Sequence, residues 1–376
     1  MRYNIPTMKL LITGGHHSSA LPLIDYIQEN RSEIDLFWLG HKHSMRGNKN
    51  PTLEYKQITS KDIPFYNLNA GKFYKTYDPK RLIKIPWGFL EAFYYLLKIR
   101  PHVVLSFGGY LAVPVVFAAW VLGIPTVTHE QTLVTGYANK FISFFADKIL
   151  ISHEESRNHF PKKKTEYSGL PLRKELFQTK TKSFQFNNDL PVLYITAGKT
   201  GSHIINETIK KSLEKLLQKF NVIHQCGDHS ELNDYKELSS IYERLKNQVP
   251  GKYYLRKFVL DDEIGEVFAN ADLFLSRSGA HITVELETFQ IPSVLIPIPW
   301  VSHNEQQKNA EMLANKNLAK ILPEKELVPA KLIETLDQAI KDSPTKKETP
   351  QYDNSPVEKI LSCVLEQYEE KKSRPF

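Results

Sequence analysis

The chain has 376 residues, which is too long for one compact core and predicts two domains. Its 41% hydrophobic and 24% charged residues are ordinary for a globular protein, so composition indicates neither a wholly disordered chain nor a membrane-embedded fold. The net charge of +7 predicts attraction to anions such as phosphorylated ligands, acidic lipid headgroups or nucleic acids, without choosing among them.

The first half of the chain alternates short apolar runs with amphipathic stretches. We expect strands at 9–13, 35–39, 103–106, 126–129 and 148–151, with helices at 21–28 and 113–122. The first apolar run leads directly into a glycine turn, so we interpret it as a core strand and not as a signal peptide. Residues 110–128 are nearly free of charge and long enough to span a bilayer, but prolines and a glycine interrupt them, so a buried helix and strand are preferred. This alternation predicts a parallel sheet.

The pattern loosens between 167 and 190 and then starts again. Further strands are expected at 191–196, 221–225, 252–255, 272–276 and 293–296, with a helix around 283–288. A polar stretch after Lys341 predicts a linker, and an amphipathic helix is expected at about 356–371. We therefore predict an α/β protein with domains at 1–175 and 176–345, followed by a linker and C-terminal helix at 346–376. The ligand site of such domains lies at the carboxyl ends of the strands.

Polar residues follow three predicted strands of the first half. Residues 14–16 (Gly-Gly-His) would present backbone N–H groups and an imidazole after the first strand. Residues 108–110 (Gly-Gly-Tyr) and 129–131 (His-Glu-Gln) follow two others, with Asn139 close behind. A glycine turn can also serve only to reverse the chain, and His129 can equally be a hydrogen-bonded core residue at the start of a capped helix.

The second half contains a comparable arrangement. Residues 197–202 (Ala-Gly-Lys-Thr-Gly-Ser) have the layout of a phosphate cradle but lack the P-loop spacing, so ATP hydrolysis is not expected. A helix that starts near Gly279 would direct its N-terminal dipole at a diphosphate, and Glu285 on it could bind ribose hydroxyls. Gln306 and Asn309 share a helix face. Exposed Glu and Gln residues are, however, also common on surfaces without any function.

These motifs occur together in the order and spacing of the MurG family, which the chain resembles from about residue 9 to about residue 340. They are GGHxxxAL from Gly14, GGY from Gly108, HEQ from His129, GxxN from Gly136, GxPxR from Gly169, SRSGAxxTxE from Ser276 and QxxN from Gln306. The resemblance implies a GT-B fold, in which two Rossmann-like domains face a cleft between them. It also implies an inverting glycosyltransferase that moves N-acetylglucosamine from UDP-N-acetylglucosamine (UDP-GlcNAc) to undecaprenyl-pyrophosphoryl-MurNAc-pentapeptide in peptidoglycan synthesis, converting lipid I to lipid II.

The resemblance also implies roles for individual residues. His16 would be the general base, with His129 and Glu130 as further catalytic candidates, and the acceptor would contact Gly14, Gly15, Tyr110 and Asn139. The residues implied for UDP-GlcNAc binding are Arg173, Lys199, Asn206, Phe258, Val259, Arg277, Gly279, Ala280, Thr283, Glu285, Gln306 and Asn309. The sequence has no Asp-x-Asp motif, and its two cysteines, Cys226 and Cys363, are far apart, so no metal, cofactor or disulfide is expected and a reducing cytoplasm fits.

The chain departs from the family's pattern at several positions. The Gly-Gly-Thr that usually precedes Gly-Gly-His is absent, Thr132 stands where Asn is usual, and Lys199-Thr200 replace Ser-Gln. Most of these changes fall on the acceptor side, so a same-fold transferase with another lipid-linked acceptor and a non-catalytic sugar-nucleotide-binding subunit remain alternatives.

Basic and aromatic residues alternate between 72 and 89, as they do in interfacial membrane anchors. We expect contact with an anionic membrane, at the cytoplasmic face and as a peripheral protein. A core helix with a basic rim gives the same pattern, as do some nucleic-acid binders, although no nucleic-acid partner is expected here.

Overall fold

The computed structural model describes residues 7–43, 51–71, 84–229, 232–342 and 348–373. The chain divides into two compact units, one formed by the residues up to Pro171 together with those from Asp353 onward, and the other by Leu172–Tyr352. Most of the expected membrane-anchor segment, at 72–83, and part of the expected linker, at 343–347, lie outside the described residues.

The first unit is built on a seven-stranded parallel sheet. Its strands are β1 (Met8–Thr13), β2 (Ile34–Gly40), β3 (Phe65–Asn67), β4 (Val103–Ser106), β5 (Thr126–Glu130), β6 (Lys148–Ile151) and β7 (Thr165–Tyr167). Their spatial order is β3-β2-β1-β4-β5-β6-β7, so the winding direction reverses between β1 and β4. Doubly wound sheets bind ligands at this switch point.

Helices cover the sheet of the first unit. They are α1 (His17–Asn30), α2 (Leu53–Thr59), α3 (Lys84–Ile99), α4 (Ala112–Val121) and α5 (Tyr137–Phe145). Every residue of β4 and β5 is buried, as expected for parallel strands covered on both faces. Residues 110–128 accordingly contain α4 and β5, and in the described part of the chain no helix is long and apolar enough to cross a membrane.

The second unit has a six-stranded parallel sheet. Its strands are β8 (Val192–Thr196), β9 (Asn221–Gln225), β10 (Tyr253–Arg256), β11 (Leu273–Ser276), β12 (Ser293–Leu295) and β13 (Ala319–Ile321). Its helices are α6 (His203–Leu217), α7 (Asp234–Leu245), α8 (Ile264–Asn270), α9 (Ala280–Phe289), α10 (Glu305–Asn315) and α11 (Pro329–Lys341). The order β10-β9-β8-β11-β12-β13 places the switch point of this unit between β8 and β11.

The last helix, α12 (Ser355–Ser373), belongs to the first unit although it follows the second in sequence. Its residues Val357, Ile360 and Val364 are buried in the same core cluster as Ile27 of α1. The hydroxyl of Tyr26 on α1 also donates a hydrogen bond to Glu358 over 3.2 Å. Amphipathicity predicted this helix, and the core contacts show what its apolar face covers.

Candidate functional site

In the first unit, the turns after β1 and β4 are in direct backbone contact. Gly14 has a φ of +142°, and a Cβ atom there would lie 2.8 Å from the carbonyl carbon of Phe107. The N–H of Gly15 donates to the carbonyl oxygen of Gly108 over 2.9 Å. Glycine is required because the backbones approach so closely. The N–H of Gly15 thus already has a partner within the protein, and contact between this turn and an acceptor stays a prediction.

His16 follows this turn and directly precedes α1. Desolvation by the surrounding protein, together with the neighbouring His17, lowers the pKa of His16 to about 4. The imidazole is therefore neutral at pH 7, and a neutral ring can accept a proton, as a general base must. The low pKa keeps this free form available throughout the physiological range.

Glu130 and Asn139 lie together and contact the second glycine turn. The N–H of Gly109 donates to Oδ1 of Asn139 over 2.8 Å, and Nδ2 of Asn139 donates to Oε2 of Glu130 over 2.7 Å. The other oxygen of Glu130 accepts from the backbone N–H and the hydroxyl of Thr132, at 3.0 and 2.8 Å. Burial raises the pKa of Glu130. Both of its oxygens are thus engaged with protein groups.

His129 is almost completely inaccessible, with 1% of its surface exposed. Its Nε2 lies 3.1 Å from the carbonyl oxygen of Gly169 and 3.2 Å from the hydroxyl of Ser152. Burial lowers the pKa of His129 to about 4, so the ring is neutral. These contacts are those of a hydrogen-bonded core histidine, the alternative interpretation of the sequence motif.

Tyr110 is half-buried and lies beside a residue that sequence reasoning missed. Its ring centroid is 5.9 Å from that of His41, which directly follows β2, and burial raises the pKa of Tyr110 to about 12. The sequence offered one signal for His41, its place directly after a strand. Because β2 neighbours β1 in a parallel sheet, the carboxyl ends of both strands lie at the same edge.

In the second unit, charged residues gather near the carboxyl ends of β8 and β11. Nη1 of Arg173 donates to Oδ1 of Asp261 over 2.7 Å, and the charge of Arg173 also acts on Lys199 and Glu285. Glu285 is 8% exposed, and burial raises its pKa although Arg173 opposes this shift. In the described part of the chain its carboxylate accepts no hydrogen bond. A buried acceptor without a partner is suited to hydroxyl donors of a ligand.

The N-terminus of α9 follows β11 at this edge of the sheet. Gly279 is the N-cap residue, and among the described residues no side chain caps the helix and no atom lies within 4 Å of a Cβ atom placed on Gly279. Ala280 begins the helix, and the hydroxyl of Thr283 bonds back to the carbonyl oxygen of Gly279 over 3.1 Å. The first amides of α9 therefore suit an anion.

Helix α10 is tied to the turn that precedes α9. Nδ2 of Asn309 donates to the carbonyl oxygen of Ser278 over 3.0 Å, and the hydroxyl of Ser278 donates to the carbonyl oxygen of Gln306 over 2.8 Å. Oε1 of Gln306 accepts from the N–H of Ile298 over 3.0 Å. Gln306 and Asn309 are thus brought next to the start of α9.

Some predicted donor-site residues instead support the surrounding loops. The buried Asn206 amide donates to the carbonyl oxygen of Cys226 over 3.0 Å and to Asp234 over 2.8 Å. Arg277 bonds the carbonyl oxygen of Ile296 over 3.1 Å and the hydroxyl of Ser202 over 2.9 Å, and it pairs with Glu324. The side chains of Asn206 and Arg277 thus stabilise the loops at the strand ends through hydrogen bonds within the protein.

The segment predicted to contact the base has one accessible side chain and one backbone N–H that is already bonded within the protein. Phe258 is 42% exposed, so its ring is accessible. The N–H of Val259 donates to Oε1 of Gln225 over 2.8 Å, and Gln225 also bonds the hydroxyl of Thr196. Gln225 therefore anchors this segment to β8, and a ligand would have to use other groups than the N–H of Val259.

One group in the described residues has the composition of a metal site, namely His203, Glu207 and Asp234. The ammonium group of Lys210 pairs with Glu207 and lies 3.0 Å from Oδ1 of Asp234. A protein cation therefore already neutralises part of the negative charge of this cluster.

Comparison with known proteins gave matches over both halves of the chain. The profile of the glycosyltransferase family 28 N-terminal domain matches residues 13–151, and that of the glycosyltransferase family 28 C-terminal domain matches residues 192–362. The UDP-N-acetylglucosamine--N-acetylmuramyl-(pentapeptide) pyrophosphoryl-undecaprenol N-acetylglucosamine transferase 2 of Bacillus cereus is 31% identical over 343 residues, which cover 88% of this chain and 91% of the relative. The transferase of the same description from Clostridium perfringens is 32% identical over 340 residues, covering 87% and 89%.

Solved structures show the same fold. MurG of Acinetobacter baumannii superposes with a TM-score of 0.67 at 22% identity, covering 96% of this chain and 99% of that one. The UDP-GlcNAc 2-epimerase of Neisseria meningitidis, solved with UDP-GlcNAc bound, superposes with a TM-score of 0.61 at 16% identity, covering 96% and 100%.

Proposed function

We propose that this chain, which belongs to the MurG family of glycosyltransferases and has the GT-B fold, transfers N-acetylglucosamine from UDP-GlcNAc to undecaprenyl-pyrophosphoryl-MurNAc-pentapeptide. The observation that carries this proposal is the agreement of both halves with relatives named for this reaction, over 88% of the chain at 31% identity. The product is the lipid-linked disaccharide used in peptidoglycan synthesis.

The second unit is the proposed donor site. The buried carboxylate of Glu285 accepts hydrogen bonds from the ribose hydroxyls, and the free amides of Gly279 and Ala280 at the start of α9 face the diphosphate. Lys199 and Arg173 add positive charge. Gln306 lies next to the start of α9, on the side from which we propose that the sugar is held, while Phe258 packs against the base. Asn309 is 1% exposed and its Nδ2 donates to the carbonyl oxygen of Ser278, so it supports the turn before α9.

The first unit is the proposed acceptor site, with His16 as general base. The neutral imidazole accepts the proton of the acceptor hydroxyl while the oxygen attacks the anomeric carbon. The bond between this carbon and the diphosphate oxygen breaks as the new bond forms, so UDP leaves and the configuration is inverted. Helix amides and the cations of the donor site stabilise the charge that develops on the leaving diphosphate.

The substrate's lipid requires a membrane, and we propose that the first unit binds an anionic membrane surface as a peripheral protein. The apolar face, defined as the exposed Trp87, Leu90, Tyr94 and Leu97 on α3, Trp120 on α4, and Tyr137 and Phe144 on α5, supports this. The rings of Phe117 and Phe145 connect α4 to α5, with centroids 5.3 Å apart. Large exposed apolar patches mark interaction sites.

Basic residues border the apolar face. Lys162, Lys163 and Lys164 form a short turn, and Nζ of Lys164 donates to the carbonyl oxygen of Ala146, just after α5, over 2.8 Å. Lys140 on α5 is exposed as well. Lysines around an apolar surface favour acidic lipid headgroups over neutral ones.

The proposed base is tested by His16→Ala. This variant is expected to lose transfer to the lipid acceptor while its affinity for UDP-GlcNAc, measured by calorimetry, stays unchanged because the donor site lies in the other unit. Retained transfer would remove His16 as the base. Loss of both transfer and UDP-GlcNAc binding would indicate a wider defect and would contradict the separation of donor and acceptor sites.

A further inference from the structure

We propose that Glu130 is a positioning residue, which fixes the turn carrying His16 through Asn139 and the Gly108–Gly109 turn and exchanges no proton with the substrate. This inference deepens the proposed function and rests on it. It concerns the group that the sequence motif had suggested as catalytic.

A continuous series of hydrogen bonds supports this role. It begins at the N–H of Thr132, passes through both oxygens of Glu130 and the side-chain amide of Asn139, and ends at the N–H of Gly109, with successive distances of 3.0, 2.7 and 2.8 Å. Glu130 is 3% exposed. A substrate hydroxyl would have to displace one of these protein partners to reach the carboxylate.

The donors and acceptors in this series can be arranged in only one way. The N–H of Gly109 can only donate, so Asn139 turns its oxygen toward Gly109 and its NH2 group toward Glu130. At the other end the N–H of Thr132 also can only donate. Residue 130 must therefore offer an acceptor at both ends, which a carboxylate does and a carboxamide cannot.

The second glycine turn transmits this constraint to His16. The carbonyl oxygen of Gly108 accepts the N–H of Gly15, the residue before His16. A Cβ atom on Gly108 would lie 2.6 Å from the side-chain amide of Asn139, so the amide packs directly on this turn. A displaced Asn139 therefore moves Gly108 and, with it, the backbone that carries the proposed base.

Thr132, which departs from the family's usual Asn, completes the arrangement in this chain. Its hydroxyl lies 2.8 Å from Oε1 of Glu130 and 2.9 Å from the carbonyl oxygen of Val134. The hydroxyl and the N–H of Thr132 thus both contact the same carboxylate oxygen. The residue holds the end of Glu130 that lies away from Asn139.

An exchange of the acid and the amide tests the proposal. In Glu130→Gln the introduced amide has one acceptor for two donors, and in Asn139→Asp two carboxylates face each other, so each single change breaks the series. In the double variant the introduced aspartate accepts from Gly109 and from the NH2 group of the introduced glutamine, whose oxygen accepts from Thr132. The double variant restores every bond but leaves no acid at position 130.

The measurement is kcat and KM for transfer from labelled UDP-GlcNAc to the undecaprenyl-linked acceptor in all four proteins. Each single variant is expected to lower kcat about 10- to 100-fold, which corresponds to the loss of one buried hydrogen bond, while KM for UDP-GlcNAc stays unchanged. The double variant is expected to recover to within about threefold of the unaltered chain, because the geometry is restored.

Failure of this inference differs from failure of the proposed function. If the unaltered chain transfers and the double variant folds, by circular dichroism, but is as slow as Glu130→Gln, then the acid itself is needed and the positioning role is overturned. If the unaltered chain transfers to no lipid acceptor, the proposed function is overturned instead. Should a single variant fail to fold, recovery of both fold and turnover in the double variant still supports the inference, and its absence contradicts it.

Discussion

The backbone N–H of Gly15 donates to the carbonyl oxygen of Gly108 over 2.9 Å, which joins the turns after β1 and β4 at the switch point of the first sheet. The turn that precedes His16 therefore depends on the second turn for its position. This relationship explains why glycines recur at both strand ends, and it links the proposed base to groups far away in sequence.

Gly108→Ala is expected to reduce transfer about a hundredfold by shifting the His16 turn. A Cβ atom there would meet the side chain of Asn139 at 2.6 Å, and the φ of +68° adds strain of about 1–2 kcal/mol. Gly123→Ala is the matched control, because Gly123 has a φ of +64° but, in the part of the chain that the structure describes, no atom within 4 Å of the added group. Steady-state kinetics of both variants measures this difference. Equal losses of turnover in Gly108→Ala and Gly123→Ala would contradict the expected role of the Gly108 turn.

The pH dependence of kcat/KM should report the low pKa of His16. Because desolvation and His17 lower this pKa to about 4, the imidazole stays unprotonated as the pH falls from 8 to about 5. The rate is therefore expected to stay nearly level over this range and to fall only near pH 4. A decline of about fivefold between pH 6.5 and pH 5.5 would show that the base titrates as an ordinary histidine and would refute the assignment.

Glu285→Gln is expected to stabilise the unliganded protein but weaken donor binding. Burial raises the pKa of Glu285 above its unfolded value, so the charged form costs stability at neutral pH, and the gain on removing it shrinks as the pH falls toward the ordinary carboxyl range. UDP-GlcNAc affinity should fall about tenfold through loss of charged hydrogen bonds. Thermal unfolding with and without UDP-GlcNAc measures both effects.

Glu287→Gln provides the control for this change on the same helix, since Glu287 pairs with Lys316 at the surface. It should leave the stabilisation by UDP-GlcNAc unaltered. If both substitutions weakened binding equally, Glu285 would have no special role in the donor site.

The apolar face is tested by sedimentation with vesicles that contain anionic lipid. Phe144, 74% exposed on α5, and Leu90, 63% exposed on α3, are changed together to Ser, and bound protein is expected to fall at least tenfold. Trp300→Ser removes a side chain that is 70% exposed in the second unit and should not alter binding. Equal binding by all three proteins would place the membrane contact elsewhere.

Hydrophobic patterning predicted most of the central strands, because parallel strands buried on both faces appear as uninterrupted apolar runs. The strands at 103–106, 148–151 and 221–225 have the predicted bounds. The short edge strand β3 was missed, since its residues are only half-buried and carry a weak apolar signal. That α12 returns to the first unit could not be predicted, because amphipathicity shows that a helix needs a partner and not which one.

Sequence motifs located the polar residues at the strand ends but did not show which groups their side chains bond. Glu130 was a catalytic candidate and Asn139 an expected acceptor contact, and in the structure the two bond each other while Asn139 also bonds Gly109. Asn206 was expected at the nucleotide, which stays a prediction, and in the structure its amide donates to Cys226 and Asp234. Such distinctions depend on hydrogen-bond partners distant in sequence, which residue type and spacing do not encode.

The measurement that tests the central claim most directly is incubation of the chain with labelled UDP-GlcNAc and a panel of undecaprenyl-linked acceptors in anionic vesicles, followed by separation of the lipid products. The account predicts label in a single inverted linkage on undecaprenyl-pyrophosphoryl-MurNAc-pentapeptide, lost in His16→Ala. Transfer to a different lipid-linked acceptor alone, or UDP-GlcNAc binding without any labelled lipid, would contradict it.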